Sequence, residues 1–253
     1  MATLSVKDVS LNFGGIMALD GISFDVEPRQ ICGLIGPNGA GKTSLFNCVS
    51  RIYQPSSGEI RLDDVDLLAH HASGIARRGI ARTFQNLGLF PTMTFLENTM
   101  AGAYTHGRVG YFKAITRWGV AREERSMRAE AYELLERLNL SEFAFHPAAD
   151  LPFGTLKRLE LARALAARPK LLMLDEPAGG LTHSEVRELG EVISQVRDEF
   201  DLTVLLVEHH MGLVMGISDK VVAMSFGKKI AEGTPRDIQV HPEVVSAYLG
   251  TPV

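Results

Sequence analysis

Gln30-Ile31-Cys32-Gly33-Leu34-Ile35-Gly36-Pro37-Asn38-Gly39-Ala40-Gly41-Lys42-Thr43-Ser44 decides the fold. A short apolar run, the length of a buried strand, gives way to a glycine-rich turn, and residues 43–52 then read as a helix. Gly36-x₄-Gly41-Lys42-Thr43 matches the phosphate-loop pattern at every position. The spacing has a physical cause. Glycines let successive backbone N–H groups turn inward on an anion without side-chain clash, and the following helix directs its positive end at the same point. In such a loop Lys42 reaches the terminal phosphates of a nucleotide and the Thr43 hydroxyl ligates Mg²⁺.

Outward from this loop the chain reads as α/β. Residues 3–9 and 22–27 alternate apolar and polar side chains, as half-buried strands do, with Gly14-Gly15 between them. Pro55–Gly58 is a turn and Glu59–Leu62 a strand. Leu171–Leu174 and Thr203–Val207 are continuous apolar runs of the kind found in parallel sheets buried on both faces. Residues 184–200 are helical, and Lys220–Phe226 with Lys229–Ala231 form a hairpin around Gly227-Lys228. Residues 86–150 differ in character. An apolar stretch is followed by a charged helix over 120–138 whose Ala131, Leu134, Leu135 and Leu138 share a face. The expected architecture is a mostly parallel core sheet with an antiparallel β part and an inserted α-helical subdomain. Residues 1–85 and 156–253 form the core and 86–155 the insertion.

Composition narrows the function. The 253 residues suit one large domain, and a net charge of −4 argues against nucleic acid as the partner. No segment approaches the roughly 20 apolar residues needed to cross a bilayer. The start Met1-Ala2-Thr3-Leu4-Ser5-Val6-Lys7-Asp8 lacks the basic and apolar regions of a signal peptide, so a cytosolic protein is expected. Cys32 and Cys48 flank the loop and read as small buried residues in a reducing compartment.

Two further strands deliver chemistry to the same edge of the sheet. In a parallel sheet, ligands sit beyond the carboxyl ends of the strands. Asp175-Glu176 follows Leu171–Leu174, so Asp175 is placed to hold Mg²⁺ and Glu176 to take a proton from the attacking water. His209 follows Thr203–Val207 and can face the terminal phosphate. Gln85 ends the short strand that begins at Gly79, and its amide can touch both Mg²⁺ and water. Taken singly, Gln85 equally reads as polar surface and His209 as a loop histidine.

Together these residues resemble the ATP-binding-cassette (ABC) ATPases, over essentially the whole chain and in the family's order. Gly36–Ser44 looks like the Walker A loop, Leu171–Glu176 like Walker B, Gln85 like the Q-loop glutamine and His209 like the switch histidine. Phe13 looks like the aromatic residue that stacks on adenine, and Gly179-Gly180-Leu181-Thr182 like the D-loop. Asn12–Ile16, Leu151–Leu165, Val207-Glu208-His209 and His241–Gly250 are similar to the branched-chain amino-acid importer group. The resemblance implies an ATP- and Mg²⁺-dependent ATPase that energises a membrane importer, bound peripherally at the cytoplasmic face through permease subunits. It further implies a dimer in which one subunit's signature loop covers the other's ATP, and a helical subdomain that meets the permease. Urea or amide importers, lipopolysaccharide-export ATPases and non-transport ABC ATPases share much of this layout. A GTPase would carry an Asn-Lys-x-Asp motif, and none is present.

The signature segment departs from the family. Where Leu-Ser-Gly-Gly-Gln is usual, the chain has Leu151-Pro152-Phe153-Gly154-Thr155. Pro152 offers neither the hydroxyl nor the backbone N–H of serine, which leaves a helix N-terminus near Gly154 and the Thr155 hydroxyl. Losing one charge-assisted hydrogen bond costs about 1.5–3 kcal/mol if nothing replaces it. A weakened signature beside an intact Walker half favours a heterodimer with a second ABC ATPase. Thr182 and His210 also stand where the family usually has other residues, and the sequence gives no physical account of His210.

Overall fold

The computed structural model describes residues 3–83, 87–104, 120–149 and 151–249. These form two compact units: residues 1–75 with 170–253, and residues 76–169.

The first unit holds two sheets. Strands β1 (Leu4–Phe13), β2 (Ile16–Val26), β4 (Ser57–Leu62) and β5 (Val65–Asp66) make an antiparallel sheet in the order β2-β1-β4-β5. β1 and β2 run further than alternation alone indicated and meet at the Gly14-Gly15 turn, because register shifts near Val9 and Leu11 interrupt the period-2 pattern. The second sheet contains β3 (Ile31–Ile35), β7 (Leu171–Asp175), β8 (Thr203–Val207), β9 (Lys220–Ser225) and β10 (Lys228–Gly233), in the order β10-β9-β3-β8-β7. β3 is parallel to both β8 and β9, β8 is parallel to β7, and only the β9–β10 hairpin is antiparallel. Every residue of β3, β7 and β8 is buried, which explains their unbroken apolar sequence. Helices α1 (Lys42–Val49), α5 (His183–Glu199), α6 (Met211–Ile217), α7 (Pro235–Gln239) and α8 (Pro242–Leu249) complete the unit. α5 buries Val186, Leu189, Gly190, Ile193 and Val196, a stripe at helical spacing, and starts at a Thr182–Glu185 capping box. The hairpin turns at Phe226-Gly227, one residue earlier than the sequence suggested, with Phe226 and Gly227 both at positive φ.

The second unit holds the short strand β6 (Ile80–Arg82) and helices α2 (Phe95–Ala103), α3 (Val120–Arg137) and α4 (Phe153–Ala166). Of the apolar stretch 86–100, the described residues 87–100 are loop followed by helix. Thr94 caps α2 through a box with Glu97, and Asn98, fully buried, holds the preceding loop by bonding Phe90 and Met93. Phe95 and Leu96 enter the core, while Phe90 and Met93 stay exposed. Ala131, Leu135 and Leu138 are buried beside them. α4 belongs to this unit, whereas the sequence boundary at 155/156 assigns most of it to the α/β core. Its backbone lies so close to α2 that a Cβ on Gly102 would fall 1.9 Å from the carbonyl oxygen of Arg163.

Candidate active site

Three strand ends lie side by side in the first unit. Leu34 pairs with Val207, and Val207 pairs with Asp175, so β3, β8 and β7 stop at the same level of the sheet. The segments that leave them are the Gly36–Ser44 loop, Glu208-His209-His210 and Glu176 onward.

The loop keeps Gly36, Gly39 and Gly41 at positive φ. A side chain at Gly36 would meet the Met224 carbonyl at 2.2 Å, so β9 pins the loop's first residue from below. Gly41 is the N-cap of α1 in left-handed conformation. α1 has no side-chain cap and no acidic residue in its first turn, so its N-terminal N–H groups face the loop's concavity without a built-in anion. Lys42 is 7% exposed, and its Nζ donates to the carbonyls of Gly36 (2.7 Å) and Pro37 (3.1 Å). Burial holds its ammonium below the usual lysine range, and the nearby Glu176 charge works against that shift. Thr43 is exposed and Ser44 half-buried.

Asp175, at the end of β7, is buried. Glu176 takes a positive φ of 47°, and its N–H donates to the Val207 carbonyl at 2.9 Å, which ties the β7 exit to the β8 exit. His209 Nδ1 lies 3.8 Å from Glu176 Oε1, with the His209 side chain largely exposed. Lys42, Asp175, Glu176 and His209 are thus brought to one edge of one sheet. Gln85 lies outside the described residues.

Three residues have clear roles that sequence reasoning missed. Glu208 is fully buried. Its Oε1 accepts from the Ala178 N–H at 2.7 Å, and its Oε2 from the N–H groups of His209 and His210, each at 2.9 Å. It fastens the loop after Glu176 to the loop carrying His209. A glutamate directly after a five-residue apolar run was the available signal. His210 gains a physical account: it is the N-cap of α6, its Nδ1 accepting from the Leu213 N–H at 3.3 Å, and its ring stands edge-on to His183. Thr182 likewise has a structural duty as the N-cap of α5.

Phe13, at the end of β1, is 45% exposed and makes an edge contact with Tyr53 at 5.2 Å between ring centroids. In the second unit, α4 begins at Phe153, close to the N-terminus expected near Gly154 and three residues before the helix 156–167 that the sequence pattern gives, and Pro152 is its N-cap without a side-chain hydrogen bond. Leu151 and Gly154 are half-buried, Pro152 and Phe153 exposed, and Thr155 buried. The side-chain surface of the segment is therefore Pro152 and Phe153 more than the Thr155 hydroxyl.

Comparison with known proteins shows the family. The family model of ABC transporters matches residues 19–179, and that of the branched-chain amino acid ATP-binding cassette transporter matches residues 228–253. The high-affinity branched-chain amino acid transport ATP-binding protein BraF of Pseudomonas aeruginosa is 43% identical over 248 residues, covering 98% of this chain and 97% of that protein. The chain belongs to the ATP-binding subunits of ABC transporters, in the branched-chain amino-acid group. LivG of Escherichia coli, a protein of the same description, is 42% identical over the same span. A crystal structure of an ABC transporter's ATP-binding cassette in its ADP conformation superposes on this ABC ATPase with a TM-score of 0.87. The two are 29% identical, with 99% of each chain covered. The fold is therefore that of ABC cassettes, and the activity is nucleotide binding with ATP hydrolysis coupled to transport. Among the described residues no helix of this ABC ATPase is long and apolar enough to cross a membrane.

Proposed function

We propose that the edge formed by β3, β7 and β8 binds ATP with Mg²⁺ and hydrolyses it to energise uptake of branched-chain or related hydrophobic amino acids. The observation that carries the reading is the convergence of a buried lysine, two carboxylates and a histidine on the phosphate loop. The whole chain is read as one ABC ATPase domain, with the helical unit facing permease subunits at the cytoplasmic side of the membrane.

The chemistry follows from the residues. Gly36–Ser44 cradles the phosphates with backbone N–H groups. Lys42 exchanges its two carbonyl acceptors for the β- and γ-phosphate oxygens, better partners for a buried ammonium. Glu176 accepts a proton from water as the water oxygen bonds to the γ-phosphorus and the bond to the β–γ bridging oxygen breaks, leaving ADP. His209, beside Glu176, orients that carboxylate and the terminal phosphate. The donor set suits a hard cation. A threonine hydroxyl (Thr43), an amide (Gln85) and one carboxylate (Asp175) leave the remaining positions to phosphate and water, as Mg²⁺ prefers. Bound there, Mg²⁺ neutralises charge developing on the phosphate oxygens. Phe13 stacks on the adenine from the end of β1. Leu151–Thr155 covers the ATP of a second subunit, and the exposed proline in it favours a heterodimer with another ABC ATPase.

Two variants test this. Glu176→Gln should keep ATP binding and lose hydrolysis by about 10²–10⁴-fold, measured as phosphate release from the assembled transporter. Lys42→Ala should lose ATP binding itself. Hydrolysis near the wild-type rate in Glu176→Gln would remove the glutamate from its assigned role.

A further inference from the structure

We infer that Tyr248 is a positioning residue of the nucleotide site: its hydroxyl accepts the Gly36 N–H and fixes the first peptide of the phosphate loop from the C-terminal helix. The inference rests on reading Gly36–Ser44 as the ATP loop, and extends that site to a residue 212 positions away in the chain.

The hydrogen bond measures 2.8 Å. Gly36 follows the last ladder position of β3, where Ile35 pairs with Ala223, so its N–H lies beyond the paired residues of the sheet and needs a partner from elsewhere. Tyr248 supplies it from α8. The same peptide region is held on its other side, since the Gly36 carbonyl accepts from Lys42 Nζ at 2.7 Å. The two clamps differ in what ATP does to them. Lys42 must let go of the carbonyl to meet phosphate, whereas the Tyr248 bond lies on the N–H side and can persist. It then becomes the contact that holds the loop's entry while Lys42 is engaged with nucleotide.

The placement of α8 strengthens the case. The helix rests on Val244, which is buried, and on the Tyr248 side chain, which is 41% exposed. An open cleft of about 700 Å³ lies between α8 and the outer rim of the loop at Pro37–Ala40. A second of about 500 Å³ lies between α8 and α6, with Ile35 and Tyr248 among its walls. With open space on two sides, the hydroxyl reaches from α8 directly to the loop. Burial pushes the Tyr248 phenol above its usual range while the Gly36 N–H pulls the other way, so at neutral pH it is a neutral hydroxyl. The general ABC match ends at residue 179, and residues 228–253 carry the branched-chain match. The bond therefore joins a segment distinctive of this group to the loop common to the family.

The test is Tyr248→Phe, which keeps the ring and deletes the acceptor. The Gly36 N–H is then unsatisfied and the loop must be ordered at the expense of ATP binding. KM for ATP should rise roughly fivefold to tenfold, with kcat within about twofold and the melting temperature little changed. In the nucleotide-free wild type, the Gly36 amide should exchange with solvent far more slowly than the Gly39 amide, and Tyr248→Phe should remove the difference. An unchanged KM, a loss confined to kcat, or equally fast exchange of the two amides in the wild type would overturn the inference. The exchange comparison in the wild type needs no variant, and equal rates there overturn the inference even if Tyr248→Phe folds poorly. Lys42→Ala separates this from the parent reading. If Lys42→Ala loses ATP while Tyr248→Phe behaves as wild type, the tether fails and the site stands. If Lys42→Ala binds ATP normally, the site itself is misassigned.

Discussion

Cys32 shows how completely the interior of this sheet excludes water. Its thiol sits on β3, four residues before the phosphate loop, and burial pushes it from 9.0 up to about 12. Cys48 on α1 is raised to about 11, also chiefly by burial. A thiol so protonated is a poor nucleophile, so both act as packing residues. The direction fixes a pH dependence. The unfolded chain ionises these thiols from about pH 9, while the folded chain keeps them protonated. The stability they contribute is thus whole below pH 9 and is lost as pH rises towards 11 for Cys48 and 12 for Cys32. For Cys32 the slope approaches about 1.4 kcal/mol per pH unit in that window. Urea unfolding at pH 8 and pH 10 should show a steeper loss for wild type than for Cys32→Ala, whatever the two stabilities are at pH 8. Parallel losses would mean that the thiol ionises as readily folded as unfolded.

Between elements, the connection that matters most is Glu208. It leaves β8 and holds three backbone N–H groups, one from the loop after β7 and two of its own loop. Glu208→Ala strands these groups in a buried place and should destabilise the fold by on the order of 3–5 kcal/mol. Glu208→Gln, which keeps one acceptor oxygen, should fall between. Because Ala178 lies two residues after Glu176, hydrolysis should drop in both variants, measured beside urea midpoints; a stable, fully active Glu208→Ala would refute the link. Glu208 also shows what the sequence made legible and what it hid. The glycine spacing of Gly36–Gly41 and the apolar runs before Asp175 and His209 are local patterns, and they located the strand ends correctly. The register Leu34–Val207–Asp175 that sets those ends level is non-local, as are the Tyr248–Gly36 bond and the close approach of α2 to α4 at Gly102. No periodicity encodes a partner far along the chain. The same reason explains His210 and Thr182. Each looked like a departure from a functional motif, and each is a helix N-cap whose partner lies three residues on.

For the molecule as a whole, the open matter is what Pro152 does to a second subunit. Proline at the N-cap of α4 supplies no hydroxyl and no N–H, and Thr155, which could have compensated, is buried. A serine at that position would do two separable things. As an N-cap it would stabilise α4 by about 1 kcal/mol, visible in the melting temperature of this chain alone. As a donor to the facing γ-phosphate it would raise turnover at the partner's ATP, visible only in a dimer. The two are resolved by assembling this chain, carrying Glu176→Gln to silence its own site, with a second cassette whose Walker residues and signature are complete. Pro152→Ser on that background should raise ATP turnover about tenfold, the lower end of what one charge-assisted hydrogen bond is worth. With Glu176 restored, the chain alone should turn over far more slowly than the mixed dimer, since two Pro152 signatures then face two intact Walker halves, whereas the mixed dimer sets the partner's complete signature over this chain's Walker half. If the chain alone matches the mixed dimer, and Pro152→Ser leaves turnover unchanged while raising the melting temperature, then Pro152 is a helix-capping detail and the heterodimer loses its physical motive.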